Sequence, residues 1–193
     1  MSKALKKDFI ADVALTCFLS SSYGGTSVDD IVRAAGISKG GIYWHFKSKE
    51  DIFLYLIKKW SNEYEQDLLA RLSDECPFRD KLNRFVEFYL EKVDVPVIAL
   101  VREFLTQAKD ETVLNKLHGL IACSQRSNIL EKVIREAVRQ GECKPVDAKA
   151  AATAFMGMFE GIGIIWSVSE KDKALLERTT KTALNIYLEG ILN

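Results

Sequence analysis

Apolar residues recur three and four positions apart from one end of this 193-residue chain to the other, and no stretch alternates polar with apolar. That period gathers side chains on one face of a helix, whereas a half-buried strand needs a period of two. The chain is therefore expected to be all-α. Its first segment carries the stripe Leu5, Phe9, Ile10, Val13, Ala14, Cys17 and Phe18 and is broken at Gly24 and Gly25. A second puts Val28, Ile31, Val32 and Ala35 on one face and stops at Gly36. A short third comes next, and a long fourth over 48–72 carries Phe53, Leu56, Ile57, Trp60, Tyr64 and Leu68. Pro77, Pro96 and Pro145 fall where helices begin or join, and the spacing between them predicts helices over 77–92, 96–107, 110–140, 147–168 and 171–191. The total is about nine helices.

Three helix starts have a chemical signature. Ser27-x-x-Asp30, Ser48-x-x-Asp51 and Ser169-x-x-Asp172 each match the capping box, in which the serine oxygen accepts an orphan amide and the acid reaches back. Each precedes an apolar periodic run, so the pattern sets register as well as start.

Composition bounds the function classes. With 48% hydrophobic residues and no net charge, the chain has enough apolar surface for a sizeable core and no bulk attraction to nucleic acid. Charge placement is mildly uneven: residues 1–50 hold seven Lys and Arg against five acids. Cys17, Cys76, Cys123 and Cys143 are scattered, and with only two histidines neither a metal site nor a disulfide framework is expected. No cofactor is expected either, and no enzyme: there is no phosphate-binding glycine loop after a strand and no recognisable nucleophile motif. The apolar run from Ala150 to Ser169 approaches membrane-spanning length, but Glu160 sits at its centre, where a carboxylate is costly in a bilayer. A soluble, cytoplasmic protein is expected, without a membrane partner.

The most informative stretch is "ISKGGIYWHFKSKED", residues 37–51. Gly36, Ile37 and Ser38 form a tight joint between two helices, with a glycine able to turn left-handed and a serine able to cap the second of them. Two helices so joined have helix-turn-helix geometry, whose second helix reads the DNA major groove. Gly40 and Gly41 weaken that helix by about 1 kcal/mol each relative to alanine, which favours close approach over helix strength. Ile42 and Phe46, four apart, face the preceding stripes, leaving Tyr43, Trp44 and His45 near the surface with Lys39 and Lys49 to meet phosphate. The residues alone leave a second reading open, in which these aromatics are core of a helical protein with a glycine-rich turn.

"TSVDDIVRAAGISKGGIYWHFKSKEDIF", Thr26 to Phe53, resembles the signature of the TetR family of bacterial transcriptional regulators, most of all the branch that controls multidrug efflux (AcrR-like). The resemblance implies a three-helix DNA-binding domain over 1–47 and a ligand-binding and dimerisation domain over 48–193, connected by the helix 48–72. It implies a regulator, more often a repressor, that holds a double-stranded operator as a homodimer and lets go when a small inducer binds. Carried over residue by residue, the DNA contacts are Thr26, Ser27, Ser38, Lys39, Gly40, Gly41, Tyr43, Trp44, His45 and Lys49. Gly41 departs from the hydroxyl residue or alanine common at its position in the family.

One short recognition helix reads few base pairs, so a two-fold symmetric dimer on a pseudo-palindrome is expected. The last two helices are the expected interface, through Gly157, Gly161, Leu176, Thr179, Ala183, Ile186, Tyr187 and Gly190. Candidate ligand contacts are Phe88, Phe104, His118, Phe155, Phe159 and Glu160, for a hydrophobic or cationic inducer, and fatty acyl compounds remain open. Such aromatic stripes also serve as plain core, and Glu160 as an interface partner. Two alternatives stand beside the regulator: a helical ligand-binding or interaction protein without DNA binding, and a redox sensor using Cys17 or Cys123.

Overall fold

The computed structural model describes residues 3–121 and 124–192, with side chains described for 6–120 and 126–192. Among these residues there are ten helices and no strand, only an isolated antiparallel bridge between Cys143 and Leu192. The tenth helix arises because the span expected as one, 110–140, comprises α7 (Glu111–Ile121) and α8 (Ser124–Arg139). Residues 122–123 between them lie outside the described residues, and so does the candidate redox residue Cys123, as does the side chain of Leu5.

The chain forms two compact units, and α4 (Lys49–Leu72) contributes to both. The first comprises residues 1–63 and 95–122. In it α1 (Lys3–Ser21) packs on α2 (Val28–Ala35) and on α6 (Pro96–Gln107), and α2 packs on α3 (Lys39–Tyr43). Its core joins the predicted stripes: Ile10, Ala14, Phe18, Ile31, Ile42, Phe46, Phe53 and Ile57 are all buried. Phe104 of α6 stacks on Phe53, centroids 4.4 Å apart, so within this unit Phe104 is a packing residue. Pro96 is the first residue of α6, where its missing amide costs nothing.

The second unit comprises residues 64–94 and 123–193. Here α9 (Ala148–Val168) packs on α8 and α10 (Lys173–Ile191), and α5 (Phe78–Lys92) packs on α8 and α10. Phe85, Phe155 and Phe159 meet edge to face or tilted at 4.7–5.7 Å, and the buried Tyr89 hydroxyl donates to the Phe159 carbonyl at 2.8 Å. α9 is the one described helix long and apolar enough to cross a membrane. Its apolar residues divide instead between the core, with Phe155, Met156 and Phe159, and an exposed set of Ile164, Ile165 and Val168.

Two expectations about helix ends and faces change. Ser169 starts no helix: its hydroxyl donates to the Trp166 carbonyl at 2.9 Å and closes α9, while Asp172 caps α10 by accepting the Leu175 amide at 3.1 Å. On α10 Leu175, 53% exposed, and Ile186 are the outward apolar residues, and Leu176 points into the core with Thr180, Leu184 and Leu188. Tyr187 is also turned inward, its ring 4.8 Å from Phe155 and its hydroxyl donating to the Ala151 carbonyl at 3.0 Å.

Candidate nucleic-acid interface

The helix-turn-helix is set by caps. Ser27 and Asp30 form the reciprocal box: the Asp30 amide donates to Ser27 Oγ at 3.1 Å and the Ser27 amide to Asp30 Oδ2 at 2.8 Å. The hydrogen bonds from Ser27 and the neighbouring Arg33 outweigh desolvation and hold the Asp30 carboxyl below its ordinary value. Gly36 ends α2 at φ 62°, left-handed, where a side chain would be strained. Ser38 then caps α3 by accepting the Gly41 amide at 3.1 Å. At the start of α4, Ser48 accepts the Asp51 amide at 3.2 Å, but Asp51 reaches back one residue further than expected, to the Lys47 amide at 3.0 Å.

These caps fix which face of α3 looks outward. Ile42 and Phe46 are buried, the Ile42 amide donating to the Ser38 carbonyl at 3.2 Å and the Phe46 amide to the Ile42 carbonyl at 2.9 Å, and they anchor α3 in the core of the first unit. Phe46 also meets Tyr55 edge to face, with the Lys7 ammonium 4.9 Å from its ring. Opposite lie Tyr43, 48% exposed, and Trp44, 74% exposed, both far beyond what packing of the chain itself requires. Ser27, Ser38, Lys39 and Gly40 are exposed with them, while Gly41 and His45 are half-buried. A Cβ at Gly40 would meet nothing within 4 Å, so no contact inside the chain demands a glycine there. A Cβ at Gly41 would instead lie 3.3 Å from the Ser38 hydroxyl that caps the helix.

Two predicted contacts have their side chains engaged elsewhere. Thr26 is 2% exposed, and its hydroxyl donates to the Cys17 and Ser22 carbonyls at 3.1 and 2.7 Å. The Lys49 ammonium donates to the Tyr23 and Thr26 carbonyls, both at 2.9 Å, and lies 4.3 Å from the Tyr23 ring centroid. Both residues hold the turn before α2 in place. Sequence reasoning passed over Asp29, whose carboxylate pairs with Lys39 at 2.8 Å, and Arg33, which pairs with Asp30. Their signal was present in the α2 spacing, since both come after the Ser27 cap on its exposed side.

The ligand candidates divide between the units. Phe104 and His118 belong to the first, His118 exposed on α7. Phe88, Phe155 and Phe159 are fully buried in the second, and Glu160 pairs with Arg126 at 3.3 Å. The Arg126 guanidinium in turn lies 5.2 Å from the Tyr64 ring. On the α9–α10 face, Gly157, Gly161, Ile165, Leu175, Thr179, Ala183 and Ile186 line an open groove of about 750 Å³. Gly190 is exposed on the same helix, whereas the inward-turned Leu176 and Tyr187 are not part of that face. Among the described residues no cluster of three potential metal ligands occurs.

Known proteins match this arrangement along nearly the whole chain. Residues 10–56 match the family model for bacterial regulatory proteins of the tetR family, and residues 57–193 match that for the C-terminal region of QacR-like proteins. The fatty acid metabolism regulator protein of Bacillus subtilis is 24% identical over 187 residues, covering 95% of this chain and 94% of its own. The transcriptional regulator AcrR of Shigella flexneri is 47% identical over 47 residues, 24% of this chain and 22% of its own. The crystal structure of the Bacillus subtilis regulator FadR in complex with stearoyl-CoA superimposes with a TM-score of 0.75 at 21% identity, covering 94% of this chain and 97% of that one.

Proposed function

Because the chain belongs to the TetR family of bacterial regulatory proteins, and is thus a transcriptional regulator and not an enzyme, we propose that it is a repressor released from its operator by an inducer with an apolar acyl chain. The observation that carries this reading is the outward face of α3. Lys39, Gly40, Tyr43 and Trp44 stand exposed on a short helix anchored from behind by Ile42 and Phe46. An ammonium, a backbone without side chain and two aromatics with polar tips are suited to phosphate, close groove approach and base or sugar contact respectively. Ser27, Ser38, Gly41 and His45 border that face, while Thr26 and Lys49 contribute by shaping the turn that leads into it. Residues 1–47 form the reading head, residues 48–193 carry ligand and dimer functions, and α4 connects the two.

The homodimer forms through the α9–α10 groove, where Ile165 and Ile186 stay more than half exposed and the glycines at 157 and 161 have open space beside them. A self-complementary apolar face of this kind is what a two-fold dimer buries, and two heads on one axis match a pseudo-palindrome. For the inducer, the relative concerned with fatty acid metabolism and the fold neighbour holding stearoyl-CoA support an acyl compound. The Arg126–Glu160 pair gives the second unit a charged group of each sign beside its aromatic core. An anionic head would compete for Arg126, and a cation for Glu160.

A mobility shift on DNA from the chain's own upstream region, repeated with stearoyl-CoA and with tetraphenylphosphonium, tests the proposal. A shift reversed by stearoyl-CoA supports the acyl reading, and one reversed by the cation alone replaces it with a cationic inducer. No shift there, and none after selection from random DNA, overturns the regulator's DNA-binding role and leaves a helical ligand carrier. A redox trigger at Cys17 is not favoured: burial, with the Asp30 charge, pushes that thiol upward and suppresses its reactive thiolate.

A further inference from the structure

The turn from Ser22 to Thr26 sets where α2 begins, and it does not hold its shape alone. Ser22 sits at φ 65°, left-handed for a residue with a side chain. Glu103, on α6 and 80 residues away in sequence, grips the turn with both carboxylate oxygens: the Tyr23 amide donates to Oε2 and the Gly24 amide to Oε1, each at 2.9 Å. Gln107, one helical turn on, donates to Glu103 Oε1 at 3.0 Å and steadies it. From the other side Lys49 holds the Tyr23 and Thr26 carbonyls, and the Tyr23 hydroxyl reaches Glu50 at 3.3 Å. The Tyr23 ring packs edge to face on Phe53 and Phe104, at 5.1 and 4.9 Å.

The polar groups on this turn are thus served from α1 through the Cys17 carbonyl, from α4 through Lys49 and Glu50, and from α6, whose two bonds to the turn backbone both come through the Glu103 carboxylate. Thr26 leads straight into the Ser27 cap, so any rotation of the turn moves the start of α2 and, through the α2–α3 packing, the outward face of α3. Charge-assisted bonds to two adjacent amides fix direction as well as distance. We infer that Glu103 is a positioning residue for operator binding, acting through the Tyr23–Gly24 backbone to hold the helix-turn-helix in its reading orientation. The inference rests on the proposed DNA-binding role.

Electrostatics alone predicts the opposite sign, which makes the test sharp. Removing a carboxylate from a DNA-binding unit strengthens attraction to phosphate, whereas loss of the grip weakens binding. The full-length protein, its Glu103→Gln and Glu103→Ala variants, and the milder Gln107→Ala are titrated against an operator selected from random DNA. Affinity is referred to the folded fraction, well below each variant's melting temperature, and backbone amide exchange at Tyr23 and Gly24 is measured in parallel. The expected order of affinity is wild type, Gln107→Ala, Glu103→Gln, Glu103→Ala, with the last weaker by roughly tenfold or more, as loss of hydrogen bonds to a charged group implies. The Gly24 amide should lose protection in the same order, with the salt dependence of binding unchanged. Equal or tighter binding by both Glu103 variants overturns the inference while leaving the DNA-binding role intact. A wild type that selects no operator overturns that role, and the inference with it.

Discussion

The Lys39 ammonium lies 2.8 Å from the Asp29 carboxylate and joins the first residue of α3 to the first turn of α2. Both side chains are more than half exposed, at 55% and 63%, so solvent and salt screen the pair. Asp29 places a negative charge beside the residue assigned to phosphate. Asp29→Asn is therefore expected to tighten operator binding by roughly threefold at low salt, with the gain vanishing as salt rises. Fluorescence anisotropy at two ionic strengths measures it, and unchanged affinity at low salt would detach Lys39 from the interface.

Gly40 offers a separation of fold stability from recognition. Apart from its chain neighbours and the backbone of its own helix, nothing lies within 4 Å of a Cβ placed there, so Gly40→Ala should stabilise the protein, by about 0.5–1 kcal/mol as alanine does in helices. DNA affinity should fall at the same time, because the new methyl stands on the side α3 presents outward. Urea unfolding and a DNA titration on the same preparation read both signs.

The α10 faces predict a clean contrast between neighbours. Leu175 is exposed beside the groove while Leu176 is 5% exposed in the core. Leu175→Asp should dissociate the proposed dimer, as read by sedimentation, and leave thermal unfolding of the subunit nearly unchanged. Leu176→Ala should instead cost about 2–4 kcal/mol of stability, as cavity-forming substitutions do.

Titration gives stability an alkaline limit. Burial, with a smaller push from Glu142, raises the Cys143 thiol from 9.0 to about 11, and burial with the Cys143 charge raises Tyr187 to about 12. Above pH 9 the unfolded chain releases protons that the folded one keeps. The stabilisation is complete below that point and is lost as pH climbs toward the folded values. Wild type should lose more unfolding free energy than Cys143→Ala between about pH 8 and pH 10.5. Glu103 acts in the acid direction: burial pushes its carboxyl up, but the Gly24 and Tyr23 amides, with Ser22 and Gln107, outweigh it and hold it low. Its contribution is present above the ordinary carboxylate range and disappears as pH falls through the lowered value.

Legibility in the sequence depended on the range of each interaction. The Ser27–Asp30 box and the Gly36 turn are local, complete within a few residues, and both stand as expected. Ile42 and Phe46 were legible because four-residue spacing admits one buried face. Ser169 misled because a serine between helices can serve either one, and here its hydroxyl closes the earlier. Leu176 misled because a helical period does not divide adjacent leucines: which of Leu175 and Leu176 turns inward depends on what α5 and α9 offer α10. The Glu103 grip had no local signal at all, since an acid on an amphipathic helix reads as a solvated residue until its partner 80 positions away is in place. Thr26 and Lys49 show the same limit, their side chains turned to carbonyls that a motif does not reveal.

The most direct measurement is the salt dependence of operator binding by wild type, Lys39→Ala and Tyr43→Ala. Wild-type affinity should fall steeply with salt on a logarithmic plot, and Lys39→Ala should weaken binding and reduce the slope by about 1, the signature of one lost phosphate contact. Tyr43→Ala should weaken binding with the slope preserved. Wild-type binding that neither substitution alters would contradict the assignment of the outward face of α3 as the surface that reads DNA.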